Sequence, residues 1–132
     1  MLGVSLVLVL VFCSNTQAQN SYVLKITKIH DGDTVTADIE MDFDVTIRNQ
    51  SIRFEDFDAW EISRVRRTVE VTDVEIRLGI KARDALIEFL KDKEVKILPS
   101  KKRDPYGRVL GKLYCNGTDV NQWMREHGHE RH

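Results

Sequence analysis

Three short stretches of the 132-residue chain concentrate side chains suited to chemistry on a phosphate ester. They are Asp31-Gly32-Asp33-Thr34, then Arg53 followed by Asp58 and Glu61, and finally the segment 104–108, which contains a second arginine. Carboxylate oxygens are ligands that Ca²⁺ prefers, arginines bind phosphate oxygens in a bidentate manner, and a glutamate can orient or deprotonate a water. Together these groups predict metal-assisted hydrolysis of a phosphodiester bond.

Each stretch taken alone has a more ordinary interpretation. The sequence Asp31-Gly32-Asp33 is usually only the turn of a hairpin, an arginine on a strand is usually a solvent-facing charge, and Glu61 is usually a loop carboxylate. The first stretch is not an EF-hand loop, because the later oxygen ligands and the closing glutamate are missing. The chemical interpretation therefore requires a fold that brings the three stretches together.

The hydrophobic pattern indicates strands that place the first acidic stretch at a turn. Residues 22–30 and 35–41 alternate in polarity and are separated by the turn signal Asp31-Gly32, which predicts a hairpin. A third strand over 45–55 needs a bulge or turn near Asn49-Gln50-Ser51, because its apolar residues change parity there.

Two helices and two more strands complete the predicted order. Thr72-Asp73-Val74-Glu75 is a capping box that begins a helix, which Gly79 is expected to weaken or kink. Strands follow over 95–99 and 108–115, and Asp119 begins a last helix. The inner face of that helix is predicted to consist of Val120, Trp123, Met124 and His127. The class is mainly β with helices (α+β), and the order β-β-β-α-β-β-α is typical of a five-stranded OB-fold barrel with two helices.

The first 18 residues differ from the rest and predict a signal peptide that is cleaved after Ala18, which leaves one domain over 19–132. The segment 2–12 is almost purely apolar and is too short to span a bilayer. No lysine or arginine precedes Lys25, which departs from the usual charged start of such peptides. The alternatives are an uncleaved anchor or a buried strand. We expect a secreted or periplasmic protein with no membrane contact beyond this segment.

Charge and cysteine content give weaker indications. The formal net charge of −1 is a mild argument against nucleic-acid binding, since most such proteins are strongly basic. The basic clusters within 64–67 and 101–103 depart locally from this balance, although each alone is typical of a solvated loop. Cys115 has no partner once Cys13 is removed, so the mature domain is expected to lack a disulfide.

The three chemical stretches resemble the signatures of the staphylococcal nuclease (thermonuclease) family. Residues 29–35 are similar to the first signature of the family, 52–61 to the second and 104–111 to the third. Gly79 with Lys81-Ala82 resembles the start of the first helix of the family, and Val120-Asn121 resembles the start of a later one. The resemblance covers essentially all of residues 22 to 128 in the right order.

The resemblance implies a set of metal ligands. Asp33 and Asp58 would bind Ca²⁺ through their carboxylates, with the backbone carbonyl of Ala59 as a further ligand. Asp31 would support the ion from the second shell or through a water. The implied cofactor is therefore Ca²⁺, held by oxygen atoms alone.

The resemblance also implies the catalytic and substrate-binding groups. Arg53 would hold the scissile phosphate, and Glu61 would act as general base or orient the attacking water. Arg108 would stabilise the transition state and the leaving oxygen. Tyr106 would pack near the nucleotide.

These roles imply a calcium-dependent nuclease that hydrolyses DNA, RNA or both to 3′-phosphate products. Nucleic acid is the expected partner, no stable protein partner is implied, and a monomer is expected. The alternative is a non-catalytic OB-fold module that binds single-stranded nucleic acid, because a fold does not fix an activity.

Two residues depart from the second signature. Phe57 stands in the place of the usual glycine, and Trp60 stands in the place of the usual proline. Because proline fixes φ, its loss is expected to loosen the placement of Glu61. Trp60 is expected either to stack on a substrate base or to pack on the barrel.

Overall fold

The computed structural model describes residue 3 and residues 20–63, 65–66 and 69–132. The elements in chain order are β1 (Tyr22–Asp31), β2 (Thr34–Glu40), β3 (Thr46–Phe54), β4 (Val65–Arg66), β5 (Val69–Glu70), α1 (Asp73–Leu90), β6 (Val95–Pro99), β7 (Val109–Cys115), β8 (Thr118–Asp119) and α2 (Val120–Glu126). Apart from Gly3, the predicted signal peptide lies outside the described residues, and so does its cleavage point. Within the described residues, no helix has both the length and the apolar character to cross a membrane.

Five strands close into a barrel. The strands β3, β2, β1, β6 and β7 are hydrogen-bonded in that order through antiparallel pairs, and a parallel pairing of β3 with β7 joins the two edges. The predicted α+β class and five-stranded OB-fold barrel with two helices are confirmed. The short β8 extends the sheet beyond β7, and β4 pairs with β5 in a separate two-stranded sheet that the hydrophobic pattern did not predict.

The hairpin of β1 and β2 confirms the period-two pattern. Val35, Ala37 and Ile39 alternate along β2 and are all buried in the core. The last pair in the register joins Asp31 to Thr34, which leaves Gly32 and Asp33 as the turn. The hairpin therefore holds its acidic residues at one rim of the barrel.

A bulge in β3 explains the change of parity in this strand. Ala37 pairs with Gln50 and Ile39 pairs with Ile47, so β3 has one extra residue between these pairs. Asn49 adopts a φ of 55°, and its N–H donates to Asp38 Oδ1 at 2.8 Å. Beyond the bulge, the alternate residues Ile52 and Phe54 face the core and are almost completely buried. Arg53, next to Ile52, therefore faces outward.

Helix α1 packs against the barrel through one face. Thr72 is its N-cap, and both hydrogen bonds of the predicted capping box with Glu75 are present. The buried side of the helix includes Ala82, Leu86 and Leu90, which join the barrel core. This spacing of three to four residues is the one that places side chains on one helical face.

Helix α2 begins at its N-cap Asp119, whose side chain accepts from the N–H of Gln122, as the sequence predicts. Val120 and Met124 are completely buried, and Trp123 packs against the core. The predicted inner position of His127 is wrong, because this residue is exposed and stacks on the Trp123 ring at 4.0 Å. The chain turns at Gly128 and buries His129 instead.

Candidate active site

Asp33 lies at the centre of a hydrogen-bonded cluster at the hairpin tip. Its backbone N–H donates to Asp31 Oδ1 at 3.0 Å, and its Oδ1 accepts from the Thr34 hydroxyl at 2.8 Å. Its Oδ2 accepts from the Ala59 N–H at 2.8 Å, which ties the hairpin to the loop after β3. The residue is only 7% exposed, so this carboxylate is held in place from several sides.

Burial changes the protonation of this carboxylate. Desolvation and the neighbouring Asp31 raise the pKa of Asp33 to about 7, although Arg53 and the Ala59 N–H oppose the shift. A positive charge placed beside a buried carboxyl stabilises its ionised form and so opposes the rise in its pKa. The hairpin tip is therefore suited to receive a cation.

Arg53 stands between two of the predicted metal ligands. Its Nη1 lies 3.3 Å from Asp33 Oδ2 and donates to the carbonyls of Phe57 at 2.6 Å and Phe54 at 3.2 Å. Its Nη2 pairs with Asp58 Oδ1. The Arg53 side chain is 17% exposed, whereas that of Asp58 is 68% exposed. The guanidinium is thus fixed by the backbone on one side, and its Asp58 partner faces solvent.

The loop that carries Asp58 and Glu61 packs against α1 where that helix has a glycine. A Cβ on Gly79 would lie 2.5 Å from the Glu61 carbonyl oxygen and 2.7 Å from the Trp60 carbonyl oxygen. No side chain fits at that distance, so Gly79 is required for the loop to lie against the helix. From the helical pattern, Gly79 was expected only to weaken or kink the helix. Its contact with the loop could not be predicted, because the approach of a distant loop leaves no local pattern.

The two departures from the family signature have different surroundings. Phe57 is buried in the barrel core at 3% exposure, so it anchors the loop where the family usually has a glycine. Trp60 is half-buried. Its predicted contact with a substrate base stays a prediction.

Glu130 and Arg131, near the C-terminus, form a strap over the same loop. Glu130 forms a β-bridge with Ala59, and the N–H of Arg131 donates to the Asp58 carbonyl at 2.8 Å. Arg125 of α2 pairs with Glu130 at 3.1 Å and also donates to the Asp56 carbonyl. Residues near the C-terminus therefore help to position a predicted metal ligand, which the sequence did not reveal, because loop-to-loop pairing has no periodic signal.

Arg108 is positioned by a compact turn at the start of β7. Asp104 Oδ1 accepts the N–H groups of Tyr106 at 3.0 Å and Arg108 at 2.7 Å, and Asp104 Oδ2 pairs with Arg108 Nε at 2.5 Å. Desolvation acts to raise the pKa of Asp104, but the bonds from Arg108 and Tyr106 hold it below its usual value. Tyr106 is 66% exposed, and its ring lies 5.6 Å from the Arg108 guanidinium carbon. The turn therefore presents one cation and one aromatic ring side by side.

Most of the predicted site residues line one cleft of about 490 Å³. The predicted residues in this cleft are Asp31, Asp33, Arg53, Glu61, Tyr106 and Arg108. Thr34 lines it as well, although no role was predicted for this residue. Asp58 lines an adjoining cleft of about 460 Å³, which shares Arg53, Tyr106 and Arg108 with the first.

The parallel pairing of β3 with β7, which closes the barrel, brings the two arginines close together. The parallel register pairs Arg53 of β3 with Leu110 of β7, two residues beyond Arg108. Arg53 on β3 and Arg108 directly before β7 therefore lie near each other, at the rim that also holds the hairpin tip. A phosphate in this cleft would be within the reach of both.

The acidic side chains fit a calcium ion by their chemistry. Asp31, Asp33 and Asp58 offer only hard oxygen donors, which suits Ca²⁺ and not a softer metal. Among the described residues, no three acidic, histidine or cysteine side chains already surround a common point. Arg53 contacts both Asp33 Oδ2 and Asp58 Oδ1, so an ion shared by the two carboxylates would compete with the guanidinium for these oxygens. Ala59 contacts Asp33 through its N–H. The binding of an ion by the Ala59 carbonyl stays a prediction.

Part of this chain is similar in sequence to known proteins. Two probable staphylococcal-like nucleases of Oryza sativa subsp. japonica, CAN3 and CAN2, are each 31% identical over 70 residues, which is 52% of this chain. The aligned part covers 18% and 19% of those proteins, so the chain spans less than a fifth of their length. Residues 51–132 match the family model described as staphylococcal nuclease homologue. That region includes Arg53, Asp58, Glu61 and Arg108, and it is more than half of the chain, which therefore belongs to the staphylococcal nuclease homologue family.

Proposed function

We propose that this protein is a calcium-dependent nuclease that hydrolyses phosphodiester bonds of DNA, RNA or both and releases 3′-phosphate products. The observation that carries the proposal is the single cleft in which Arg53, Glu61 and Arg108 meet the acidic hairpin tip. Membership of the nuclease homologue family supports the same reaction class.

The two arginines bind and stabilise the phosphate in this proposal. Arg53 Nη1 stays on the backbone carbonyls of the loop, and Nη2 exchanges its solvent-facing partner Asp58 for a phosphate oxygen. Arg108 is held through Nε by Asp104, which leaves its terminal nitrogens for the transition state and the leaving oxygen. Fixed donors of this kind need no reorganisation during the reaction.

Glu61 and the carboxylates supply the remaining functions. Glu61 orients or deprotonates the attacking water at the wall of the cleft that it lines. Asp33 and Asp58 would hold Ca²⁺, with the Ala59 carbonyl as a ligand and Asp31 acting through a water. The bound ion would neutralise charge that develops on the phosphate. Tyr106 and Trp60 would contact the nucleotide beside the reacting phosphate.

A degradation assay tests this function directly. Protein is incubated with plasmid DNA, single-stranded DNA or RNA in the presence of Ca²⁺ or of a calcium chelator, and the fragments are separated by gel. We expect cleavage with Ca²⁺ and none with chelator, and end-labelling of the fragments should show 3′-phosphates. Folded protein that binds single strands without cutting them would support the binding module and contradict the nuclease.

Two substitutions test the assigned roles. Glu61→Gln removes the base at nearly constant shape, and Arg53→Lys removes bidentate contact while it keeps the charge. Each should lower kcat about 10²-fold or more, as expected for loss of a general base or of a transition-state donor. Arg48→Lys, on the exposed part of β3, is the matched control and should leave kcat within twofold. Full activity of Glu61→Gln would show that another group activates the water.

We further propose that the domain over 19–132 acts outside the cytoplasm as a monomer. The apolar segment 2–12 and the small residue Ala18 support export and cleavage. Expression in a secreting host, followed by N-terminal sequencing and light scattering, should give a single species that starts at Gln19. A retained, membrane-bound full-length chain would favour the anchor.

A further inference from the structure

Positive charge is concentrated in the segment 99–115, which includes β7 and the turn before it. Five residues of this segment are basic, namely Lys101, Lys102, Arg103, Arg108 and Lys112, and its one acid, Asp104, is paired with Arg108. The whole chain has a formal net charge of −1, so the rest of the molecule is acidic. The basic character is therefore local, as expected for a surface that receives an anion.

Three of these lysines line a cleft separate from the candidate active site. The cleft has a volume of about 400 Å³, and its walls include Lys101, Lys102 and Lys112 around Leu98 and Pro99. Glu55 also lines it. Lys25 forms an ion pair with Glu40 at 2.9 Å and Lys96 forms one with Glu94 at 3.6 Å, whereas no carboxylate of the described residues lies within ion-pair distance of Lys101, Lys102 or Lys112. They are therefore free to meet an external anion.

The outer face of β7 connects this cleft to the candidate active site. Gly111, Leu113 and Cys115 are buried, so Leu110 and Lys112 face outward. Leu110 lines the cleft that adjoins the candidate active site, and Lys112 lines the lysine cleft. Arg108 and Lys112 are four residues apart, which is about 13 Å along an extended strand.

Arg103 continues the path on the loop side. It lines the adjoining cleft together with Arg108, and it follows directly after Lys102 of the lysine cleft. Its guanidinium is held by the Gly107 carbonyl at 2.9 Å, which fixes it beside the turn that carries Arg108. A row of cations thus runs from the candidate active site to the lysine cleft.

We propose that the lysine cleft binds the sugar–phosphate backbone of a single-stranded nucleic acid, several nucleotides away from the bond that Arg53 and Arg108 hold. This inference rests on the proposed function and extends it to a polynucleotide track, which consists of Arg108, Arg103 and the three lysines of the lysine cleft. A concave surface with spaced cations and an apolar floor suits an extended polyanion whose charges repeat along its length. An isolated phosphate would need only one such cluster.

The track makes affinity depend on the length of the ligand. A dinucleotide occupies the candidate active site alone, while a strand of about ten nucleotides also reaches the lysine cleft. The protein should therefore bind the longer strand more tightly. Because each phosphate contact on a single strand contributes about 0.7 to the slope of log affinity against log salt, the longer strand should also show the steeper salt dependence.

The test uses protein that carries Glu61→Gln, in which cleavage is expected to be about 10²-fold slower, so that binding is recorded before the oligonucleotide is cut. Fluorescence anisotropy with labelled oligodeoxynucleotides of two and ten residues is recorded with Ca²⁺ at several salt concentrations. Adding Lys101→Gln, Lys102→Gln and Lys112→Gln should weaken the decamer at least about tenfold at low salt and lower its salt slope by about two, because three phosphate contacts are lost. The affinity for the dinucleotide should change less than twofold.

A matched triple variant controls for the loss of charge. Lys25→Gln, Lys28→Gln and Lys91→Gln remove the same number of charges from residues outside the track. Lys25 is part of an exposed ion pair of a kind that contributes little to stability. This control should retain the decamer affinity of the parent within about twofold.

The outcomes separate this inference from the proposed nuclease. Two results would overturn the track even if wild-type protein cuts DNA. One is an equal loss of decamer affinity in the two triple variants, and the other is an unchanged decamer affinity in the variant of Lys101, Lys102 and Lys112. Length-dependent binding through the three lysines in a protein that does not cleave would support the track and contradict the nuclease. If polyglutamate bound through the same lysines as tightly as the decamer, an acidic peptide would be the better ligand and the inference would be wrong.

Discussion

Asp33 shows how one residue combines local and distant contacts. Its place in a hairpin turn follows from the sequence, since Asp31-Gly32 is a turn signal between two alternating strands. Its bond to the Ala59 N–H and its distance of 3.3 Å from Arg53 do not follow, because both partners come from beyond the next strand. The resemblance named the residues of the site, but the structure was needed to show that Arg53 stands between the two carboxylates.

The raised pKa of Asp33 has a consequence for stability without calcium. Its folded pKa of about 7 lies above its ordinary value, so the folded protein binds this proton more tightly than the unfolded chain does. Its contribution to stability is therefore complete below about pH 4 and is lost as the pH rises through about 7. Denaturant unfolding of calcium-free protein should show this loss, with a size on the order of a few kcal/mol.

Comparison with Asp33→Asn isolates this group. Burial lowers the pKa of His129, which makes the unfolding free energy rise with pH over part of this range and so opposes the effect of Asp33. His129 is present in both proteins, so its effect cancels in the comparison. The difference in unfolding free energy should move in favour of Asp33→Asn between pH 4 and 7. A constant difference over that range would show that Asp33 titrates normally in the folded protein.

At the scale of elements, α1 acts as a platform for the loop that carries the proposed base. Its capping box and its buried face are readable from local sequence. The function of Gly79 is not, because it depends on the loop backbone of Trp60 and Glu61, which lies against the helix. The same limit applies to β4 and β5, which have two residues each and show no period.

Gly79→Ala should separate helix propensity from loop placement. In an ordinary helix, alanine is more stable than glycine by about 1 kcal/mol. Here the new methyl group meets two carbonyl oxygens, so we expect a net destabilisation of about 1–3 kcal/mol, typical of overpacking, and a loss of turnover as Glu61 shifts. Thermal unfolding and the DNA cleavage rate are measured together. Glu88→Ala, exposed on the same helix, should change neither, and a stabilised, fully active Gly79→Ala would contradict the close contact.

Arg125 connects α2 to the Asp58 loop and should affect calcium more than folding. It contacts the Asp56 carbonyl and Glu130, and its guanidinium lies 5.7 Å from the Phe57 ring. Arg125→Ala should lower stability by only about 1 kcal/mol, since these contacts are partly exposed, while calcium affinity falls several-fold.

Calorimetric titration with Ca²⁺ measures the effect of Arg125→Ala. The control is Glu126→Ala on the same helix, whose side chain accepts a hydrogen bond from Gln122 and does not contact the loop in any bond shown. Unchanged calcium affinity in Arg125→Ala would mean that the strap does not position Asp58.

At the scale of the whole molecule, the five-stranded barrel and its two helices were predictable, because strand alternation and helix caps are local signals. The strap was not, since the Ala59–Glu130 bridge joins positions far apart in the chain. The parallel edge between β3 and β7 is also non-local, and the hydrophobic pattern did not specify this pairing.

Calcium should stabilise the entire domain if it binds only the folded state. At a concentration 100 times Kd, linkage adds about 2.7 kcal/mol to the unfolding free energy, which corresponds to about 10 °C in Tm for a domain of this size. Differential scanning calorimetry with Ca²⁺ and with chelator checks this value. Asp33→Asn should remove most of the shift, and an equal shift in that variant would place the ion elsewhere.

The parallel edge between β3 and β7 also determines when the proposed phosphate site can form. Ile52 and Val109, which pair there, are separated by α1 and β6 in sequence, so this edge is among the most non-local contacts of the chain. Non-local pairings form slowly, because a long loop must close first. Because this pairing brings Arg53 and Arg108 together, a nascent or partly folded chain should have each arginine but lack the proposed phosphate site that they form together. Recovery of activity during refolding should therefore coincide with the closing of the barrel and should not precede it.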